Sequence, residues 1–353
     1  MDRHHFKTAG CRIFIAAVLT FIALVCITSF SCQMNPEGIT ILGGTYECPK
    51  LIDFSIQGKH QLQMTFSQKV EITDIRITDT TASAEQFAGT STMPAETEVT
   101  DNGDGTWQYN LTFTEEFTCG SSYVLYGVVE DSYGNTLSFS SGFAGYNDNL
   151  PVIVLNEVRT EYSKPKLEYI ELYVLEDGNL GGMVMEAYYG TKSNTFIFPA
   201  ADVHQGDYIV LHMRTVDETA VDETEDITAC TAPDSCASAR DFWYQSEVKA
   251  LGKTGVILLK ERENGALCDA LLYAESSKSY WPQDIMKTAA QSAYLAGIWT
   301  GSAETSDAVC SDRCTTTRTL SRQNYSEKGA SAWIVVATSC ATPGAANSAK
   351  PAD

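Results

Sequence analysis

Apolar and polar residues alternate with a period of two along much of the chain. Leu62, Met64 and Phe66 alternate with Gln61, Gln63 and Thr65. Trp107, Tyr109, Leu111 and Phe113 alternate with Gln108, Asn110 and Thr112, and Ile170, Leu172 and Val174 with Tyr169, Glu171 and Tyr173. Successive side chains of a strand point to opposite faces, so each run predicts a strand with one buried and one wet face. That is the habit of antiparallel sheets packed in pairs. Residues 284–296, with Pro282 before them and Gly297 after, predict the one good helix. The expected fold class is all-β, built as antiparallel β-sandwiches.

Residues 145–151, rich in Gly, Asn and Pro, interrupt the strand pattern and predict a boundary between domains at 41–148 and 152–348. In the first domain, Asp101, Gly103, Asp104 and Gly105 lead into the strand at Trp107. The two glycines supply the positive φ angles of a tight hairpin. A second turn holds Asp131, Gly134 and Asn135 before the last strand. Together these turns resemble those of bacterial immunoglobulin-like domains. A calcium loop is the rival for 101–106, but Gly103 stands where an EF-hand needs a ligand and no Glu follows at the twelfth place.

The second domain opens with Leu155, Asn156 and Glu157, and then Glu168, Tyr169, Ile170, Glu171 and Leu172. Further landmarks follow at Phe196–Ala200, before a turn, and at Gly206–Leu211, Gly255–Leu259 and Asp269–Tyr273. The chain closes with Leu320, Ser321, Arg322, Trp333 and the run Thr342, Pro343, Gly344, Ala345, Ala346, Asn347. This succession resembles a lamin-tail domain over 152–348. The resemblance implies a second immunoglobulin-type sandwich with a scaffolding or attachment role and no catalytic residues. Two insertions depart from the pattern, at about 214–250 and 276–316, and Leu320, Ser321 and Arg322 replace the usual tryptophan-glycine landmark. Residues 349–353 form a short tail.

The N-terminus changes where this work is done. Arg3, Lys7 and Arg12 precede an almost wholly apolar run at 13–27, then Ser29, Phe30, Ser31 and Cys32. That is the plan of an export signal, and the small residues before Cys32 resemble a bacterial lipobox of the relaxed, spirochaete-like kind. The resemblance implies cleavage after residue 31, lipid on Cys32 and a tether over 32–40. An uncleaved membrane helix is the rival, but the run is shorter than the about 18–20 residues a span needs. Removal of 1–31 takes the formal charge from −21 to −23, because three cations leave with one carboxylate. So acidic a chain repels phosphate backbones, which argues against a nucleic-acid partner.

Of eleven cysteines, Cys11 and Cys26 leave with the signal and Cys32 carries the lipid. The even remainder in an exported chain predicts disulfides. Keeping each bridge within one domain or loop favours Cys48–Cys119, Cys230–Cys236, Cys310–Cys314 and Cys268–Cys340. The close pairs lack the two-residue spacing of structural zinc knuckles, so no metal is assigned.

No motif carries chemistry. The exported part has only His60, His204 and His212, and contains no Gly-x-Ser-x-Gly elbow, His-Glu-x-x-His pair or phosphate loop. No catalytic residue, cofactor or cofactor-binding residue is assigned. The acidic run from Asp217 to Asp226 reads as a solvated loop, with collection of divalent cations as the rival. The insertions hold aromatics that suit a partner or a glycan: Trp243, Tyr244, Tyr280, Trp281 and Trp299. They equally suit a satellite core under long loops. The expected protein is thus a non-enzymatic, lipid-anchored lipoprotein of the outer membrane or cell surface that binds, presents or scaffolds. The alternative is an adhesin contacting carbohydrate or a host protein through the two insertions, meeting as one surface; a hydrolytic enzyme ranks third.

Overall fold

The computed structural model describes residues 47–80 and 92–353. The export signal, Cys32 and the tether lie outside the described residues. The fold is mostly β and antiparallel. Strands β1 (Leu51–Gly58), β2 (Gln61–Phe66), β3 (Val70–Asp79), β4 (Glu96–Asp101), β5 (Trp107–Thr112), β6 (Ser122–Asp131) and β7 (Thr136–Ala144) make the first sandwich. Its sheets have the orders β1-β2-β5-β4 and β3-β6-β7. Leu62, Met64 and Phe66, the apolar set of one alternating run, are fully buried in its core with Leu111 and Leu125. Tyr109 pins the two sheets together: its hydroxyl donates to Val70 O at 2.6 Å and accepts from Val70 N–H at 2.8 Å.

Both turns seen in the sequence are closed by their own carboxylates: in the second, Asp131 accepts the Tyr133 N–H at 2.8 Å and the Asn135 N–H at 2.9 Å, and the first is closed twice over. Asp101 accepts the Gly103 N–H at 2.9 Å and Asp104 the Thr106 N–H at 2.9 Å, with Gly103 and Gly105 at φ 77° and 91°. These are Asx turns, in which the side chain takes the place of a backbone acceptor.

The second sandwich follows from β8 (Val152–Arg159), β9 (Tyr169–Glu176), β10 (Gly178–Asn179), β11 (Val184–Tyr189), β12 (Lys192–Ile197) and β13 (Asp202–Val203). It continues through β14 (Tyr208–His212), β15 (Arg240–Trp243), β16 (Gly255–Lys260), β17 (Leu267–Ala274), β18 (Val309–Cys310), β19 (Leu320–Arg322) and β20 (Trp333–Val335). A five-stranded sheet, β12-β11-β16-β17-β18, faces a six-stranded one, β15-β14-β9-β8-β19-β20. Leu155, Val158, Ile170, Leu172, Ile257, Leu259 and Leu271 fill the space between them.

The insertions extend this body in two different layers. The first supplies β15, which adds in parallel to the outer edge of β14. The second supplies helix α1 (Asp284–Leu295) and β18. Helix α1 packs on β16, β11 and β17 of the other sheet through Met286, Ala289, Ala290 and Ala293. It ends where Gly297, at φ 69°, donates to Tyr294 O while Ile298 donates to Ala293 O, the double bond of a Schellman cap. The aromatics of the two insertions are therefore not gathered into one surface.

Candidate functional site

Two places concentrate polar chemistry or open space: a buried hydrogen-bond network on the outer face of the six-stranded sheet, and a groove where the two sandwiches meet. The network begins with a bulge. Pairing of β8 with β9 shifts register between Leu155 and Glu157. Leu155 and Val158 both stay in the core, while Glu157 and its cross-strand neighbour Glu171 stand on the other face, each fully buried. Glu157 accepts from Tyr169 Oη at 2.8 Å, Ser321 Oγ at 2.9 Å, the Thr342 N–H at 2.9 Å and Thr319 Oγ1. Glu171 accepts from Asn156 Nδ2 and the Gly344 N–H, both at 2.6 Å. Asn347 Nδ2 completes the clasp by donating to Asn156 Oδ1 at 2.8 Å and Arg322 O at 2.7 Å.

The C-terminal Pro-Gly-Ala-Ala-Asn run is thus fastened to the opening Asn-Glu pair. Burial pushes the Glu171 carboxyl up to about 8, and Glu157 beside it adds to the rise; the Gly344 and Asn156 donors oppose it. A second buried link joins Arg322 Nη1 to Asp269 Oδ2 at 2.5 Å, with the Leu155 N–H donating to the same oxygen at 2.8 Å.

The first insertion is tied down by acids from its own charge run. Glu223 is buried and accepts the Asp241 N–H at 2.8 Å and the Cys230 N–H at 3.1 Å, so this part of the run is an internal brace and not a solvated loop. Asp217 and Asp226 close turns by accepting the Thr219 and Thr228 N–H groups. Asp241 Oδ1 lies 2.9 Å from His212 Nε2, and His212 stacks on Trp243 at 4.0 Å. His60 and His204 sit on exposed turns, as their sequence setting suggests. Among the described residues no group of three or more His, Cys, Asp or Glu is placed to hold a metal ion.

The structure moves most of the proposed contact aromatics inside. Trp243 is 1% exposed, Trp299 2% and Trp281 6%, whereas Tyr280 is 73% exposed. Trp281 Nε1 donates to Ala303 O at 2.7 Å, and half-buried Tyr244 lies against the second core. The tryptophans are core residues of the insertions, leaving Tyr280 as the exposed member of the set.

The expected disulfides are also absent: all eight cysteines from Cys48 to Cys340 are free thiols. Cys119 Sγ turns toward Asn179 and Gly181 of the second sandwich, not toward Cys48. Cys230 packs with Leu167 and Trp243, while Cys236 packs beside Tyr169 and Val210 with its thiol donating to Pro343 O at 3.2 Å. Cys268 lies on β17 of one sheet and Cys340 follows β20 of the other. Cys314 is buried, which pushes its thiol up to about 12, whereas Cys310 is exposed. Brief alkylation of the native protein should therefore label Cys48 and Cys310 and reach Cys314 only after unfolding. Protection of Cys310 together with Cys314 until a reductant is added would show a bridge instead.

The groove lies where the join is tight. Asn147 Nδ2 donates to Asn179 O at 2.6 Å and Gly181 O at 2.9 Å, and Lys59 pairs with Asp148 at 3.0 Å. Gly120 approaches Ala200 so closely that a Cβ would lie 2.6 Å from its nitrogen. Beside this seam opens a cavity of about 350 Å³. Residues 51–56 of β1 and 141–144 of β7 form one side, while Gly182, Val184, Ile197 and the β16–β17 turn at 261–264 form the other. Phe54 and Phe143, with ring centroids 5.6 Å apart, are among its lining residues. This groove has no local signature, because strands remote in the chain build it.

Comparison with known proteins gives a family, a relative and several distant structures. A 167-residue stretch is 34% identical to an uncharacterized protein of Treponema pallidum (strain Nichols), covering 47% of this chain and 42% of that one. The matched stretch thus spans less than half of the relative's length. Among solved structures, the N-terminal part of the bacterial S-layer protein SbsC aligns over 65% of this chain and 44% of its own at 13% identity and a TM-score of 0.25. A DUF4785 family protein from Legionella pneumophila aligns over 64% and 54% at 13% identity and a TM-score of 0.22. Superpositions this loose carry nothing about function. The family described as the TP_1001 protein second domain matches residues 151–335, and the chain belongs to that family.

Proposed function

We propose that this chain is a lipid-anchored protein of the bacterial cell envelope or surface that binds or presents and does not catalyse. Its sandwiches are of the bacterial immunoglobulin-like and lamin-tail types. One observation carries the reading. The groups that resemble an active site, Glu157, Glu171, Asp269 and the His212–Asp241 pair, are each buried and spent on fastening one chain segment to another. The open groove, by contrast, is walled by strand edges and apolar side chains under a charged rim of Asp53, Glu261, Arg262 and Glu263. Such a site suits recognition at the junction of two bodies. The rival adhesin reading loses its contact surface with the burial of Trp243, Trp281 and Trp299.

The anchor rests on the sequence before Cys32, and a relative in a spirochaete fits the relaxed lipobox. Expressed in a bacterial host fed labelled palmitate, the wild type should take up label and fractionate with membranes, and Cys32→Ala should do neither. Equal labelling of both would remove the anchor.

A further inference from the structure

We infer that the groove between the sandwiches takes an extended, apolar and basic segment of another polypeptide. That segment would run along the free edge of β1 and pair with it through its backbone. The inference rests on the binding role proposed above and names its occupant.

The strand edges of the first sandwich are not protected alike. A free strand edge invites pairing with another chain, and proteins blunt it with charge, proline or cover. Among the described residues the end strands of the first sandwich's two sheets are β1, β4, β3 and β7, and β3 is already covered in part, its Ile75 O accepting the Thr92 N–H at 2.7 Å. Strand β4 carries Glu96, Glu98 and Asp101, all exposed, and β3 carries Glu71, Asp74, Arg76 and Asp79. Strand β7 carries neither a charge nor a proline from Thr136 to Ala144, and β1 has only Asp53. The unblunted edges are the two that border the groove. Residues 51–56 of β1 line it, a run of roughly 20 Å at about 3.3 Å per residue, enough to pair with a segment of similar length.

Side chains at the mouth give the occupant its composition. Ile52 is 55% exposed on one wall and Ile197 43% exposed on the other, so apolar residues of a guest strand have partners on both sides. The charged lining residues are Asp53, Glu261, Arg262 and Glu263. Arg262 is already engaged, 2.7 Å from Glu261 and 4.8 Å over the Tyr146 ring, which leaves the rim acidic. Lysine or arginine on the guest meets that rim favourably, and an acidic segment is repelled.

The test is titration of the full chain, in detergent micelles, with three synthetic decapeptides. One alternates valine and lysine, one is the same with alternate backbone nitrogens methylated, and one alternates valine and glutamate. The valine-lysine peptide should bind saturably at one site, and methylation should weaken it at least tenfold by removing its backbone donors. The exposed pair Asp53→Lys with Glu263→Lys should weaken it at least tenfold and favour the glutamate peptide. Ile197→Asp, on the facing wall, should weaken both. Absence of binding, equal binding after methylation, or binding indifferent to all three substitutions would overturn the inference. Palmitate labelling of the same preparations shows separately whether the anchored-protein reading stands.

Discussion

Replacing Glu157 with alanine is expected to destabilise the second sandwich by about 3–5 kcal/mol, measured by chemical denaturation at neutral pH. The size follows from what the carboxylate serves. Tyr169 Oη, Thr319 Oγ1, Ser321 Oγ and the Thr342 N–H all donate to it, and Glu157 is fully buried. Alanine leaves those donors facing a space without acceptors, and a buried donor left unmade costs about 1–3 kcal/mol by itself. Tyr hydroxyls and Ser or Thr hydroxyls can turn to other acceptors, but the Thr342 N–H is fixed by the backbone. Glu157→Gln keeps one carbonyl oxygen and should fall between wild type and alanine. Tyr169→Phe removes one donor of the set and should cost less than either. An alanine variant within about 1 kcal/mol of wild type would mean that the network is ornamental to stability.

This network marks how far the sequence could be read. Alternation identified the core sets Leu62, Met64 and Phe66 or Ile170 and Leu172, because a half-buried strand writes its two faces into the chain. The helix at 284–295 was legible from Pro282 and Gly297, which act locally. The fate of the tryptophans was not, because whether a loop aromatic is buried depends on which sheet face lies beneath it.

A clue was present all the same. The runs Val256–Leu259 and Ala270–Tyr273 are continuously apolar, the mark of strands covered on both faces. Leu258 lines a small cavity with Ile285, Ala289 and Ser292 of α1, so the helix of the second insertion is the cover those runs require. The cysteines misled for a different reason. An even count and an export signal speak of compartment, whereas pairing depends on three-dimensional approach, and Cys230 and Cys236 pack into separate clusters. Asn156 and Glu157 were seen to open a strand, but their partners, Thr342 to Asn347, come from the far end of the chain.

The melting temperature of the second sandwich is expected to fall as pH rises from about 5 to 8, with Glu171 a principal cause. Burial raises its carboxyl from 4.5 to about 8 in the folded protein. Below 4.5 the group is protonated in both states and its contribution to stability is fully present. Between 4.5 and 8 the unfolded chain releases the proton while the folded chain keeps it, so each step up in pH favours unfolding. Above 8 both states are ionised and the loss levels off. At 1.36 kcal/mol per unit the whole loss is on the order of 5 kcal/mol. Asp269 is raised by burial too, against the pull of Arg322, and acts in the same direction.

Glu171→Gln stays neutral at every pH and retains one carbonyl oxygen for the Gly344 N–H. It should flatten the decline without erasing it, and should match or exceed wild type at pH 8 while falling below it at pH 5. A wild-type melting temperature unchanged from pH 5 to 8, or an undiminished slope in the glutamine variant, would show that Glu171 is held as the carboxylate by Gly344 and Asn156. The clasp on the C-terminal run would then be ionic at neutral pH and would weaken on acidification instead.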